Sequence, residues 1–339
     1  MQYNRIGANG YAEHKHVGKR MGLRRKMRWA VGGALLALVI GMLFEQPQVG
    51  HWRSETDRNE YQSAYQELIA SLGGPDETID IATSLGIVHV NVWHATGDGA
   101  PVMLLPGRSS GSAMWVENIR EWRGKRTVYA PDPMGDAGFS AQSVPLATVH
   151  DQAKWVAETI ENLGKGPVHL VGHSFGGSVA AIAAADHPDL VASVSLIEPV
   201  FVIENPPASM MFWASLTLLP IPQSWKDHAL GRVAGTEIRS DAKEPMARLI
   251  RSAGAGYSAE LPTPQRFTDE QWRNLQVPMR LDIAGDSKLA GGQRAIDRIK
   301  ALVPQAQTRL WPGTTHSLPM EAREELGVAL DEFWSDNER

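Results

Sequence analysis

The chain has 339 residues, 43% of them hydrophobic, which is enough for one large α/β domain with an insertion and too apolar for a disordered chain. Its 33 basic and 38 acidic side chains leave a net charge of −5, so no global basic field attracts nucleic acid, and no nucleic-acid motif is present. With no cysteine, disulfides, thiolate metal sites and a cysteine nucleophile are excluded together.

The amino-terminal end bears on location. Lys15, Lys19, Arg20, Arg24, Arg25, Lys26 and Arg28 precede an uncharged apolar run over residues 29–44, and Glu45, Glu55 and Asp57 follow it. This asymmetry predicts an amino terminus on the cytoplasmic side, with the rest of the chain across the membrane. The run is about 24 Å long as a helix, against a hydrocarbon core of about 30 Å, so a cleaved signal peptide is the rival reading. No small-x-small site follows it, and the basic region is long. Residues 1–28 are therefore read as a basic tail and 29–46 as an uncleaved, single-pass signal anchor. The membrane is expected as a partner through this helix.

Residues 55–72 read as an amphipathic helix, with Tyr61, Tyr65, Leu68, Ile69 and Leu72 at helical spacing and Gly73-Gly74-Pro75 stopping it. Its expected role is to pack between anchor and domain. Alternation over residues 78–95, broken near Ser84-Leu85-Gly86, predicts an antiparallel pair at a sheet edge. Residues 101–105 form a short, wholly apolar strand of the kind that helices cover on both faces. A loop rich in glycine and serine follows, Pro106-Gly107-Arg108-Ser109-Ser110-Gly111, at the end of a strand where α/β sheets place ligands. After a helix over 113–122 and a strand over 128–130 comes a loop over 132–140, in which Asp132 and Asp136 are expected to cap and brace rather than to act chemically.

A helix over 148–163 leads to the stretch around which the chain is organised: Val168-His169-Leu170-Val171-Gly172-His173-Ser174-Phe175-Gly176-Gly177. A β-rich apolar run stops at a glycine, a serine follows, and two glycines open a helix expected over 178–186. Serine on such a strand-to-helix turn sits in strained backbone, and only small neighbours let the two elements approach. Ser174 is the candidate nucleophile, with the Phe175 N–H aimed at a developing oxyanion and the Arg108 N–H as its second donor. His173 is read as supporting the turn.

The strand over 193–197 ends at Glu198-Pro199. From 200 to 276 the alternation of strand and helix breaks down around an apolar stretch, Met210, Met211, Phe212, Trp213, Leu216, Leu218 and Leu219, which reads as an inserted cap. Order returns with a strand over 279–284, a helix over 292–302, a strand over 308–311 and a closing helix over 319–334. The loop between these last two carries His316, the candidate base, placed at the same carboxyl edge of the sheet as Ser174. The histidines show no H-E-x-x-H pairing, and no metal or cofactor is assigned.

Over roughly residues 76–334 the chain resembles the α/β-hydrolase family. The resemblance rests on Pro106-Gly107-Arg108 in the place of its His-Gly oxyanion loop, on residues 132–140 as a version of its D-x-x-G-x-G-x-S loop, on Gly172 to Gly177, and on His316. Pro106 replaces a histidine, and the Asp132 loop carries one extra residue. The resemblance implies an α/β-hydrolase fold: a mostly parallel sheet covered by helices, with core segments 76–199 and 277–339, a cap over 200–276, and the linker and amphipathic helix over 47–75 between it and the anchor. The family's usual acid, three residues after Gly285, is here Lys288, which cannot orient a histidine as a carboxylate does. Glu198, at the end of the strand after the nucleophile helix, is the preferred acid, and Asp286 is the alternative.

The implied reaction is acyl transfer to water through Ser174, His316 and the acid. The implied substrate is a small carboxylic ester with an apolar acyl group, suggested by the cap. Lactonase, amidase or haloperoxidase activity would use the same residues. From another class, Lys288 admits a membrane-tethered binding protein on a hydrolase scaffold.

Overall fold

The computed structural model describes residues 48–97, 99–217, 219, 221–234 and 243–338. The predicted signal anchor over 29–46 lies outside them; among the described residues no helix is long and apolar enough to cross a membrane.

The described chain opens with β1 (His51–Trp52) and α1 (Glu55–Ser71), whose Ser54 cap accepts the Asp57 N–H at 3.2 Å. β2 (Glu77–Thr83) and β3 (Gly86–Trp93) form the expected antiparallel pair. β4 (Val102–Leu105), a 3₁₀ turn, α2 (Val116–Trp122), β5 (Val128–Pro131) and β6 (Ala141–Gln142) follow. α3 (Val149–Leu163) begins where the Asp151 carboxylate accepts the Thr148 N–H at 2.7 Å. Next come β7 (Val168–His173), α4 (Phe175–Asp186) and β8 (Val191–Ile197). The predicted helix over 178–186 thus starts three residues earlier, immediately behind Ser174.

Between β8 and the next sheet strand lie α5 (Ala208–Thr217), α6 (Gln223–Ala234), α7 (Pro245–Gly256), β9 (Tyr257–Ser258) and α8 (Asp269–Arg273). The chain then completes the sheet with β10 (Met279–Ala284), α9 (Gln293–Leu302) and β11 (Gln307–Trp311). The helix expected over 319–334 is two helices, α10 (Leu318–Glu321) and α11 (Arg323–Ser335).

The sheet runs β11-β10-β8-β7-β4-β5-β3-β2, with β6 added to β3. From β5 to β11 every neighbour is parallel, whereas β3 meets both β5 and β2 antiparallel. β4, β7, β8 and β10 are buried at every residue, as a parallel sheet covered on both faces requires. One face carries Trp155, Ile160, Val179, Trp272 and Ile296; the other carries Tyr61, Trp115, Trp122, Leu249 and Trp334.

α1 belongs to that second layer. On the side of the domain it is built into the body: Tyr61 and Tyr65 are buried, and Arg248 of α7 pairs with Glu60 and Glu67 along its length, each at 2.7 Å. β1 pairs with β9, so the incoming chain is also fastened to the end of the segment that carries α7.

Candidate active site

Parallel pairing brings the ends of β4, β7, β8 and β11 to one edge, and the predicted groups collect there. At the end of β7, Ser174 has φ 55° and ψ −120°, a conformation that L-residues rarely adopt. Two glycines let the turn close. A Cβ on Gly172 would stand 2.3 Å from the Gly176 carbonyl oxygen, and one on Gly176 would stand 2.4 Å from the carbonyl oxygens of Leu105 and Pro106. The strain therefore has a definite product: the serine hydroxyl stands clear of both strand and helix.

Pairing of β7 with β8 continues one residue past the strand, the Ser174 N–H donating to the Ile197 carbonyl at 3.0 Å. This sets Glu198 beside the nucleophile. Glu198 also has positive φ, 48°, and its N–H donates to the Asp282 carbonyl at 2.9 Å. Its side chain is fully buried. One carboxylate oxygen accepts the Ala284 N–H at 2.9 Å, and the other lies 3.0 Å from His316 Nδ1. His316 Nε2 is 2.9 Å from Ser174 Oγ. Because a carboxylate only accepts, Nδ1 carries the imidazole proton, and Nε2 is left to accept from the serine hydroxyl.

Asp286, the alternative acid, is exposed; its N–H donates to the Thr314 carbonyl at 2.9 Å, bracing the loop that leads to His316. The structure thus brings Ser174, His316 and Glu198 together and leaves Asp286 at the surface. Lys288 is exposed as well.

His173 does more than fill the turn. Its ring stands 4.8 Å from that of His316, and its Nε2 donates to the His316 carbonyl at 2.9 Å, tying the base's loop to the elbow. Burial, and then the neighbouring His316, pull His173 down to about 3. It stays neutral beside a histidine that must become a cation.

The oxyanion side is built from loops. Phe175 is the first residue of α4, so its N–H has no intrahelical carbonyl to reach. In the 106–111 loop the Gly107 N–H points to Met114 Sδ at 3.3 Å and the Ser109 N–H to Asp136 at 2.8 Å, which braces the intervening Arg108 N–H on both sides. The Arg108 guanidinium lies over the Phe175 ring, 5.8 Å from its centre.

Asp132 and Asp136 brace, as expected. Buried Asp132 accepts from the N–H groups of Ser112 and Phe139, both at 2.8 Å, and from Tyr65 at 3.3 Å. Burial raises both carboxyls above the usual range. The supporting shell behind them is absent from the sequence reading. Tyr61 donates to the Ala137 carbonyl at 3.0 Å, while the Tyr65 hydroxyl meets Ser112 Oγ at 2.8 Å and Asn91 Nδ2 at 2.6 Å. The one signal for it was two tyrosines four residues apart on a buried stripe, since a buried phenol needs a polar partner.

A model of the alpha/beta hydrolase family matches residues 102–329. The chain belongs to that family. Two carboxylesterases of Bacillus subtilis (strain 168) are similar over most of their length. YbfK is 26% identical over 286 residues, 80% of this chain and 93% of its own, and the uncharacterised carboxylesterase nap is 25% identical over 278 residues, 77% and 87%. Among solved structures, the naproxen esterase of B. subtilis matches with a TM-score of 0.73 at 23% identity, over 83% of this chain and 99% of that one. A membrane phospholipase A matches with a TM-score of 0.64 at 18% identity, over 91% and 98%. α1 and its two tyrosines precede the stretch that the family model covers.

Proposed function

We propose that this protein is a serine hydrolase of carboxylic esters. The observation that carries the reading is the unbroken chain of contacts from Ser174 Oγ through His316 to Glu198, at 2.9 and 3.0 Å, with the acid fully buried. Similarity to two carboxylesterases along most of the chain supports the choice of substrate class.

In this mechanism Ser174 attacks the ester carbonyl as His316 Nε2 takes its proton. The Glu198 carboxylate holds the Nδ1 proton and stabilises the imidazolium. The N–H groups of Phe175 and Arg108 receive the oxyanion, each worth roughly 3 kcal/mol in the transition state. His316 then protonates the departing alcohol, leaving an acyl-serine. Water then attacks the acyl carbon as His316 Nε2 takes its proton, and His316 returns that proton to Ser174 Oγ as the acyl–oxygen bond breaks, releasing the carboxylic acid.

The predicted signal anchor makes this a membrane-tethered enzyme, with residues 29–46 in the bilayer and the hydrolase body on the outer side. The charge asymmetry about residues 29–44 supports that reading.

A fluorophosphonate tests the nucleophile against the binding-protein alternative. The full chain is expected to gain one phosphonyl group on the peptide that contains Ser174, and Ser174→Ala to gain none. Equal labelling of the two, or none of either, would contradict the assignment.

A further inference from the structure

α5 is anomalous for a helix on a water-soluble body. Met210, Met211, Phe212, Trp213 and Leu216 make it apolar nearly all round, it carries no charged residue, and none of its described side chains is buried. Phe212 is 58% exposed, and Trp225 on the neighbouring α6 is 67% exposed. Elsewhere among the described residues the large exposed apolar side chains, Ile87, Phe139, Val144 and Val328, are scattered over separate elements. A contiguous apolar surface of this kind calls for something that covers it.

Two observations say what. First, cations flank the patch: α6 carries Lys226 and Arg232, and the Arg232 guanidinium lies 5.7 Å over the Trp213 ring. Apolar side chains edged by cations are what an acyl layer under phosphate headgroups accepts. Second, the chain is fastened at residues 51–52, β1 pairing with β9 and Trp52 packing 5.3 Å from Tyr257. β9 lies in the same insertion as α5 and α6. Position 46 lies five residues before His51, a reach of at most about 18 Å. On the anchor reading given above, the chain leaves the bilayer within that reach of β1.

We propose that α5 and α6 dock on the surface of a phospholipid bilayer, with Met211, Phe212 and Trp225 in the acyl boundary and Lys226 and Arg232 at the headgroups. The orientation rests on the anchor reading given above.

The absence of cysteine makes the test clean. Full-length Phe212→Cys, Trp225→Cys and, as a control on α11, Val328→Cys would each carry one nitrobenzoxadiazole label and be reconstituted into phosphatidylcholine–phosphatidylglycerol vesicles. At 212 and 225 the emission is expected to rise severalfold on reconstitution and to be quenched by lipids with spin-labelled acyl chains; at 328 it stays that of a label in water. Labels at 212 and 225 that remain in water while the chain co-sediments with vesicles would overturn the docking and leave the anchor standing. A chain that does not co-sediment overturns both. Labels already shielded in detergent and unquenched by spin-labelled lipid would overturn the proposal in favour of a protein partner. None of these readings depends on Ser174, so a failure of the hydrolase assignment is read separately by the phosphonate.

Discussion

Glu198 and Asp286 show how far a sequence can be read at the scale of single residues. Lys288 in the family's usual place for the acid left two carboxylates to choose between, and the chain order Ser, acid, His is the same for both. What separates them is pairing: Ser174 and Glu198 sit one residue past the ends of adjacent parallel strands, a register that no local pattern states. The histidines make a prediction at the same scale. Burial, with His316 next, pulls His173 to about 3, and burial, with Arg126 next, pulls His169 to about 4. Both are neutral when folded and protonate on unfolding below pH 6.5. The unfolded chain therefore binds more protons between about pH 4 and 6.5, so stability falls as pH falls through that window, by up to roughly 1.4 kcal/mol per pH unit for each histidine. Buried Asp132 and Asp136, with raised pKa values, act in the opposite sense from the carboxylate range upward. Comparing wild type with His169→Gln isolates the contribution of His169. Urea unfolding at pH 7, 5.5 and 4.5 is expected to show a steeper decline for wild type, and parallel curves for the two proteins would contradict the account.

Among the elements, the strands and helices of the core were legible because the apolar runs are short, unbroken and punctuated by glycine and proline. α1 was legible as a helix but not as a part of the site, because the hydrogen-bond partners of its two tyrosines lie 26 to 76 residues away in sequence. The structure turns it into the brace of two loops: Tyr65 reaches Ser112 beside the 106–111 loop and Asp132 at the start of the next. Removing the Tyr65 hydroxyl leaves buried Asn91 and Asp132 each short of a partner, which costs about 1–3 kcal/mol. Tyr65→Phe is expected to lower the unfolding free energy by that amount and to lower kcat more than it changes KM, because the oxyanion loop loosens. A variant as stable and as fast as wild type would remove α1 from the account of the site.

At the scale of the molecule, the division of labour follows from topology. A parallel sheet gathers its strand ends along one edge, so Ser174 and His316, 142 residues apart in sequence, meet without any one segment encoding the site. The segment between β8 and β10 was legible only as a break in the α/β rhythm; α5, at its start, has no buried face and so gives no amphipathic period to read. The central claim is that Glu198 completes the charge chain in place of the family's usual acid. The most direct measurement is p-nitrophenyl butyrate turnover by the full-length wild type, Ser174→Ala, Glu198→Gln and Asp286→Asn. The account predicts a loss on the order of a millionfold for Ser174→Ala, about ten-thousandfold for Glu198→Gln, and a rate within about threefold of wild type for Asp286→Asn. A collapse with Asp286→Asn while Glu198→Gln stays active would contradict it.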